Sequence, residues 1–353
     1  MTDKTKPNFT WLSTHIYLNE GVYSKKFDEF LSNTLKPLIH SLKTENLIHN
    51  YFFIRYAKFG PHIRLRIHVH HDNENIVRNK ITDHCNVYFK KDLGYINISP
   101  YHHIISARDS NRIFKNNGSI EDIPYEAEYE RYGGSFGIKI VEEEFYNSSQ
   151  VILNILENLK NGENEKLGIG FIMMLECIKI FCHEHHEALN LSNSLCRAYL
   201  DAEIGITAAL AWGDSTLLRN FLNNNYSEAE EPLGVKLLIA AFNEKFNAQQ
   251  FTFLEMTKLY SNILPSSIFR QLSIWSETLK ITKKKLKILA TEEKLQISNF
   301  KKLSISQQLN SIAASLIHLN ANRLGLHLIE EAWLAYILQR YLEINSEFSF
   351  YEN

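Results

Sequence analysis

Cysteine is scarce. The four cysteines among 353 residues are Cys85, Cys177, Cys182 and Cys196. None forms a C-x-x-C pair, and in a chain of this length they read as reduced packing residues of a cytoplasmic protein. No signal core is present, because the opening MTDKTKPNFTW has no apolar run. The longest apolar stretch, Leu167 to Cys182, is interrupted by Glu176 and Lys179. It is too short and too charged to span a bilayer and reads as a buried helix. Neither sign of charge dominates: 38 Lys and Arg face 40 Asp and Glu, a net charge of -2. That balance gives no global basic field, so direct nucleic-acid binding is not expected, although a local cationic cleft is allowed.

Several catalytic signatures are also missing. There is no P-loop and no G-x-G-x-x-G. Gly133-Gly134-Ser135 lacks the G-x-S-x-G form of a nucleophile elbow. His183-Glu-His-His-Glu187 resembles a zinc motif, but Glu187 stands where an H-E-x-x-H site needs its second His. The polar end of a helix is the plainer reading. His102-His103 and His70-His71-Asp72 have no companion ligands at recognisable spacing, so no metal site is expected. No repeat of 20–50 residues and no extended low-complexity segment occurs.

What is present is core-forming material: 44% of residues are hydrophobic and 22% charged, a well-folded composition. The length suits one large domain or two packed subdomains. The pattern predicts an α+β fold, with a mixed, sheet-containing N-terminal part and a mainly α-helical C-terminal part. The expected division is 1–147 and 148–353. In the first part, Trp11–Tyr17, Tyr51–Tyr56 and His62–His70 read as strands, and Tyr23–Leu42 has helical spacing. Lys58-Phe59-Gly60-Pro61 suggests a hairpin turn. Gly94–Gly134 reads as loops and short strands. After Ser148, amphipathic helices are expected over 149–160, 165–187, 193–211, 228–247, 266–292 and 305–343, the last broken near Asn320–Gly325. The lysines of Lys280–Lys287 read as a solvated helix face.

Three segments carry chemistry. On a strand, His62, Arg64, Arg66, His68 and His70 share one face, and Ile63, Leu65, Ile67 and Val69 share the other. The first face could be the solvent side of a half-exposed strand, yet it contains no acid. Two arginines two positions apart make a fork for carboxylate or phosphate. In Tyr125–Gly134, Glu126, Glu128 and Glu130 alternate with Tyr125, Ala127, Tyr129 and Arg131, and Gly133-Gly134 permits a tight bend. The segment reads as an ordinary strand or as an anion site in which carboxylates hold Arg131. In a helix, Ser311, Ser315, His318 and Asn322 form a small, uncharged stripe opposite Leu309, Ile312, Leu316 and Leu319. Such a stripe suits either a surface or the wall of a polar cleft, with His318 able to act as a base near neutral pH.

Taken in order, Phe52-Phe-Ile-Arg-Tyr56, His62-Ile-Arg-Leu-Arg66, Tyr125-Glu-x-Glu-x-Glu-Arg-Tyr-Gly-Gly134 and His318-x-x-x-Asn-Arg323 resemble the C-terminal domain of lantibiotic dehydratases and its free-standing relatives. Trp11-Leu and Lys36-Pro37-Leu38 also fit, and the likeness covers nearly the whole chain. The resemblance implies a lyase that expels glutamate from glutamylated Ser or Thr of a ribosomally made precursor peptide, leaving dehydroalanine or dehydrobutyrine. It implies catalytic roles for Arg64, Arg66, Arg131 and His318. It also implies substrate contacts from Glu128, Asn322, Arg323 and Arg55. No cofactor is required. The partners implied are the precursor peptide and a separate glutamyl-tRNA-dependent glutamylating protein; a homodimer is compatible with it. Two other readings stay open. One is a pyridine synthase that joins two dehydroalanines in a formal [4+2] cycloaddition, a branch that the resemblance associates with loss of the Arg/Arg/Arg/His set. The other is a non-catalytic peptide-binding or scaffold subunit.

Overall fold

The computed structural model describes residues 8–18, 20–57, 60–92, 115–159, 163–212, 235–249, 265–297, 303–345 and 350. The sheet comes first. Strands β1 (Phe9–Tyr17), β2 (Ile48–Tyr56), β3 (His62–His70) and β4 (Ile120–Asp122) lie in the order β2-β3-β1-β4. All three pairings are antiparallel. Between β1 and β2 run α1 (Lys25–Phe30), a π-helical turn (Leu31–Leu35) and α2 (Lys36–Thr44). After β3 comes α3 (Glu74–Asp92). The resulting β-α-β-β-α-β path is the ferredoxin-like arrangement.

Alternation sorts the strands into two faces. Ile63, Leu65, Ile67 and Val69 are each 0% exposed, as the pattern predicts. They join Leu12 and Ile16 of β1, Phe27 and Phe30 of α1, and Val77 and Ile81 of α3 in one hydrophobic core. Burying each such side chain contributes about 1.5–3 kcal/mol, which fixes the strand register because a one-residue slip would expose the whole set.

The helical part contains α4 (Gly134–Asn158), α5 (Glu163–Phe181), α6 (His185–Trp212), α7 (235–249), α8 (Ser266–Thr291), α9 (Ile305–Leu324) and α10 (Leu328–Ile344). Helix α6 packs on α10, α4 on α8, and α5 on α9. Among the described residues no helix is long and apolar enough to cross a membrane.

Strand β3 begins and ends where the pattern places it, whereas several helix bounds differ. The helix expected from 149 starts at Gly134 and runs unbroken through position 148. The expected 165–187 helix ends at Phe181, and its His183-Glu184 lies in the junction before α6. There the backbone N–H of His183 donates to Glu187 at 2.8 Å, so the segment opens a helix rather than ending one. Residues 125–133 are loop and turn rather than strand. Lys283 breaks the solvated lysine face, being only 2% exposed; burial lowers its pKa to about 8. All four cysteines are buried and none is in a disulfide. Lys58, Phe59 and much of 94–134 lie outside the described residues, but β2 and β3 do form a hairpin, with Tyr56 opposite His62.

Two joints set the position of everything that follows. At the first, Gly133 and Gly134 have φ of 87° and 75°, left-handed values that favour glycine. A Cβ at Gly133 would overlap Leu295. This bend ends the Arg131 turn and starts α4. At the second, α9 grips the outer edge of β2. Asn322 Oδ1 accepts from the Arg55 N–H and its Nδ2 donates to the Arg55 carbonyl, both at 3.0 Å. Arg323 Nε donates to the Phe53 carbonyl at 2.9 Å. Arg55, 1% exposed, reaches back from the strand to the Arg323 carbonyl (3.0 Å), the Val22 carbonyl (2.8 Å) and Asp28 (2.6 Å). Lys166 also pairs with Asp28.

Two substitutions test these joints. Gly133→Ala should lower unfolding stability by about 2–4 kcal/mol, from left-handed strain plus overpacking against Leu295; urea denaturation measures it. Asn322→Asp keeps shape and acceptor but cannot donate to the Arg55 carbonyl. Its expected cost in the same assay is about 1–3 kcal/mol, the penalty for a buried acceptor left unpaired. Unchanged stability would mean that the grip on β2 contributes nothing.

Candidate functional site

The stripe on α9 faces a cleft rather than open solvent. Ala314, Ser315, His318 and Asn322 line a space of about 520 Å³, and Arg131 enters from the turn before α4. The rest of the lining is largely apolar, with Leu195 and Tyr199 from α6, Leu328 from α10 and Val22. Ser311, the first member of the stripe, is not among the lining residues, while Leu309, Ile312, Leu316 and Leu319 are buried on the far side of the helix.

Arg131 is tied to this helix. Its Nε donates to Ser315 Oγ at 2.9 Å, and Nη1 donates to Glu128 at 3.2 Å. These bonds use two of the five N–H groups of a guanidinium. The ion pair with Glu128 is at the rim, with side chains 44% and 57% exposed, so it adds little stability and mainly restrains the arginine.

His318 is oriented by a partner absent from the sequence-based set. Its Nδ1 lies 2.9 Å from Glu331 Oε2, on α10. Glu331 is 1% exposed. Burial raises its pKa, and the hydrogen bond from His318 opposes that rise. An ionised carboxylate can only accept, so it holds a proton on Nδ1 and leaves Nε2 as the basic atom. Tyr199 lies beside the imidazole, ring centroids 5.9 Å apart. The signal for Glu331 in the sequence was faint: an acid one step before the apolar run Ala332-Trp333-Leu334-Ala335.

Arg64 and Arg66 sit next door, on the polar face of the sheet, and do not line this cleft. Tyr56 joins the two places. It lines the cleft, and the Arg64 guanidinium lies 3.3 Å from its ring centroid. The face is not an ordinary solvent side, because His62 and Arg66 are 1% and 7% exposed. Across β1 the register places Ser13 opposite Arg66, His15 opposite Arg64 and Tyr17 opposite His62. Burial and the adjacent Arg64 lower the Arg66 pKa to about 10. Burial lowers His62 to about 4, and burial together with Arg66 lowers His15 to about 3. His15 went unnoticed because its alternation with Trp11, Ser13 and Tyr17 has no meaning until β1 is known to lie beside β3.

Of the other expected substrate contacts, Arg55 and Asn322 border the cleft while holding β2 and α9 together. Arg323 is 0% exposed and bonds Phe53 and Ser148. Among the described residues no group of three or more His, Cys, Asp or Glu is placed to hold a metal ion.

Comparison with known proteins bears on this architecture. The family model for the C-terminal part of the lantibiotic biosynthesis dehydratase matches residues 11–342. Among solved structures, the pyridine synthase TbtD from thiomuracin biosynthesis shares the fold with a TM-score of 0.66 at 13% identity, over 95% of this chain and 99% of that one. TsrL aligns with a TM-score of 0.59 at 13% identity, over 97% and 96% of the two chains. The tRNA-dependent lantibiotic dehydratase MibB from Microbispora sp. 107891 aligns with a TM-score of 0.54 at 16% identity, over 98% of this chain but only 29% of its own length. No curated protein matches the chain. At these identities the structural likenesses establish the fold alone, whereas the family model spans almost the full sequence: the chain belongs to the lantibiotic biosynthesis dehydratase C-terminal family.

Proposed function

We propose that this protein modifies a ribosomally made peptide, and that it eliminates glutamate from glutamylated Ser or Thr, giving dehydroalanine or dehydrobutyrine. The observation that carries this reading is the pair of contacts Arg131–Ser315 and His318–Glu331 at one cleft whose remaining lining is largely apolar. The Cα–H of an esterified Ser or Thr is weakly acidic. Its removal needs a base and a positive charge near the carbonyl oxygen that becomes enolate-like. His318 Nε2 serves as the base, supported from behind by Glu331, as a carboxylate supports His in hydrolytic triads. Arg131 donates to the developing oxyanion; one well-placed donor contributes about 3–4 kcal/mol. The electron pair from the C–H bond forms the alkene, and the C–O bond breaks toward a carboxylate that needs no strong acid. Arg64 and Arg66, across Tyr56, suit the carboxylates of the expelled glutamate. A separate glutamylating protein would install the ester.

A second reading, pyridine synthesis from two dehydroalanines, is favoured by the near-complete mutual coverage with TbtD. Mass spectrometry of precursor incubated with the glutamylating partner, glutamyl-tRNA and this protein separates the two. The expected product is lighter than unmodified peptide by one water per site. His318→Ala and Arg131→Ala should slow that conversion on the order of 10²–10⁴-fold, so that glutamyl adducts accumulate. Glu331→Gln should slow it comparably while leaving peptide binding intact, because a glutamine can donate to Nδ1 and shift the proton to Nε2. Untouched adducts combined with ring closure on a dehydroalanine-bearing peptide would replace elimination with pyridine synthesis. Binding without either reaction would leave a scaffold.

A further inference from the structure

The polar face of the sheet contains more unmet hydrogen-bonding capacity than two arginines explain. Ser13, His15, His62 and Arg66 are 4%, 5%, 1% and 7% exposed. The rings of His15 and His62 stack with centroids 4.8 Å apart at 25°. Among the described residues, seven buried polar atoms on this face have no partner: Ser13 Oγ, His15 Nδ1 and Nε2, His62 Nε2, Arg64 Nε, and Arg66 Nε and Nη1. Buried polar groups are normally satisfied, so a cluster of them, mostly donors, points to an acceptor ligand. The facing groups agree. Arg64 lies on Tyr56, Arg66 lies 5.7 Å from the Tyr125 ring, and Tyr17 packs on His62. Among the described residues an acid faces the cluster at Glu121, opposite His15 on β4, and Lys115 already pairs with it at 2.6 Å.

The histidines dictate how an anion can enter. His62 Nδ1 lies 2.8 Å from the Gly60 carbonyl, which can only accept, so the proton of the neutral ring is on Nδ1. Nε2 then presents a lone pair, which repels a carboxylate until it is protonated. His15, stacked on His62, disfavours a second charge, so one proton rather than two accompanies the anion.

We propose that Ser13, His15, His62 and Arg66 form an anion subsite that takes up a carboxylate together with one proton from solvent. The ligand class is a small carboxylate; its identity as the expelled glutamate rests on the function proposed above. No covalent bond changes: the anion arrives, one imidazole gains a proton, and both leave together. Both histidines are neutral in the free protein at neutral pH, and the arriving negative charge raises the pKa of the imidazole it meets. Binding therefore strengthens as pH falls from that raised value toward the free value of about 4 for His62, by at most tenfold per pH unit.

Isothermal titration calorimetry of the full chain with L-glutamate and with acetate tests this, at several pH values and in buffers of different ionisation enthalpy. The expected result is uptake of close to one proton per bound anion, with affinity rising on acidification. His62→Gln should abolish proton uptake, and Arg66→Met should abolish binding, each with an unchanged circular dichroism spectrum. His15→Gln serves as a second variant if His62→Gln fails to fold. Anion binding without proton uptake, proton uptake that survives in both histidine variants, or no binding of either anion would overturn the subsite. Because the assay uses no peptide, failure of elimination alongside proton-linked acetate binding removes only the glutamate assignment. Elimination without proton uptake removes the subsite and leaves the reaction.

Discussion

The hold of α9 on the free edge of β2 is the constraint on which the rest depends. An outer strand presents unpaired N–H and C=O groups that invite another strand. Here the Asn322 side chain replaces that strand at Arg55, bonding the N–H and the carbonyl alike, while Arg323 serves Phe53. His318 stands one helical turn before Asn322. Fixing Asn322 on Arg55 therefore also fixes the imidazole relative to Tyr56, the next residue of the strand. Tyr56 in turn borders Arg64. The imidazole on the helix and the cations on the sheet are thus placed by a single set of backbone hydrogen bonds, aided by the buried Asp28–Arg55–Lys166 group behind them.

The distribution of acids makes chemical sense of that geometry. Carboxylates stand behind the groups they serve: Glu331 behind His318, and Asp28 behind Arg55. Glu144, near Arg323, is deep enough for burial to raise its pKa to about 8, with Trp275 Nε1 donating to it at 2.7 Å. Among the described residues, the open sides of Arg131, Arg64 and Arg66 face no comparable buried acid, so their field is left to act on a ligand. A buried charge needs compensation, and here compensation was placed where it orients side chains without quenching the site.

Much of this was legible in the sequence, for identifiable reasons. Strand β3 could be read because a strict period of two separates Ile63, Leu65, Ile67 and Val69 from His62, Arg64 and Arg66. The α9 stripe could be read because Ser315, His318 and Asn322 recur at helical spacing. The structural duties of Asn322, Arg323 and Arg55 could not, since a side chain that bonds a distant backbone leaves no pattern in its own segment. Glu331 was hidden for the same reason: it meets His318 only across the turn that Gly325, with φ of 83°, makes between α9 and α10. The alternation in Tyr125–Arg131 misled, because turn residues imitate period two when glutamates and tyrosines happen to interleave. The start of α4 at Gly134 was masked by two glycines that ordinarily break helices but here form its left-handed entry.

The glycine at the end of α9 has a consequence for how this chain can vary in length. A Cβ at Gly325 would come within 2.7 Å of Arg55 Nη1, so the turn lies directly on the buried guanidinium. From His318 to Gly325 the helix is therefore clamped at both ends of its last two turns, by Glu331 at one and by Arg55 at the other. One added residue there would rotate everything beyond it by about 100° and carry Asn322 off the strand while His318 stayed in the cleft. Insertions and deletions accumulated over evolutionary time should thus be excluded from 318–325 and collect in connections that touch neither joint, so that relatives of different length keep the same interval between the histidine and the glycine.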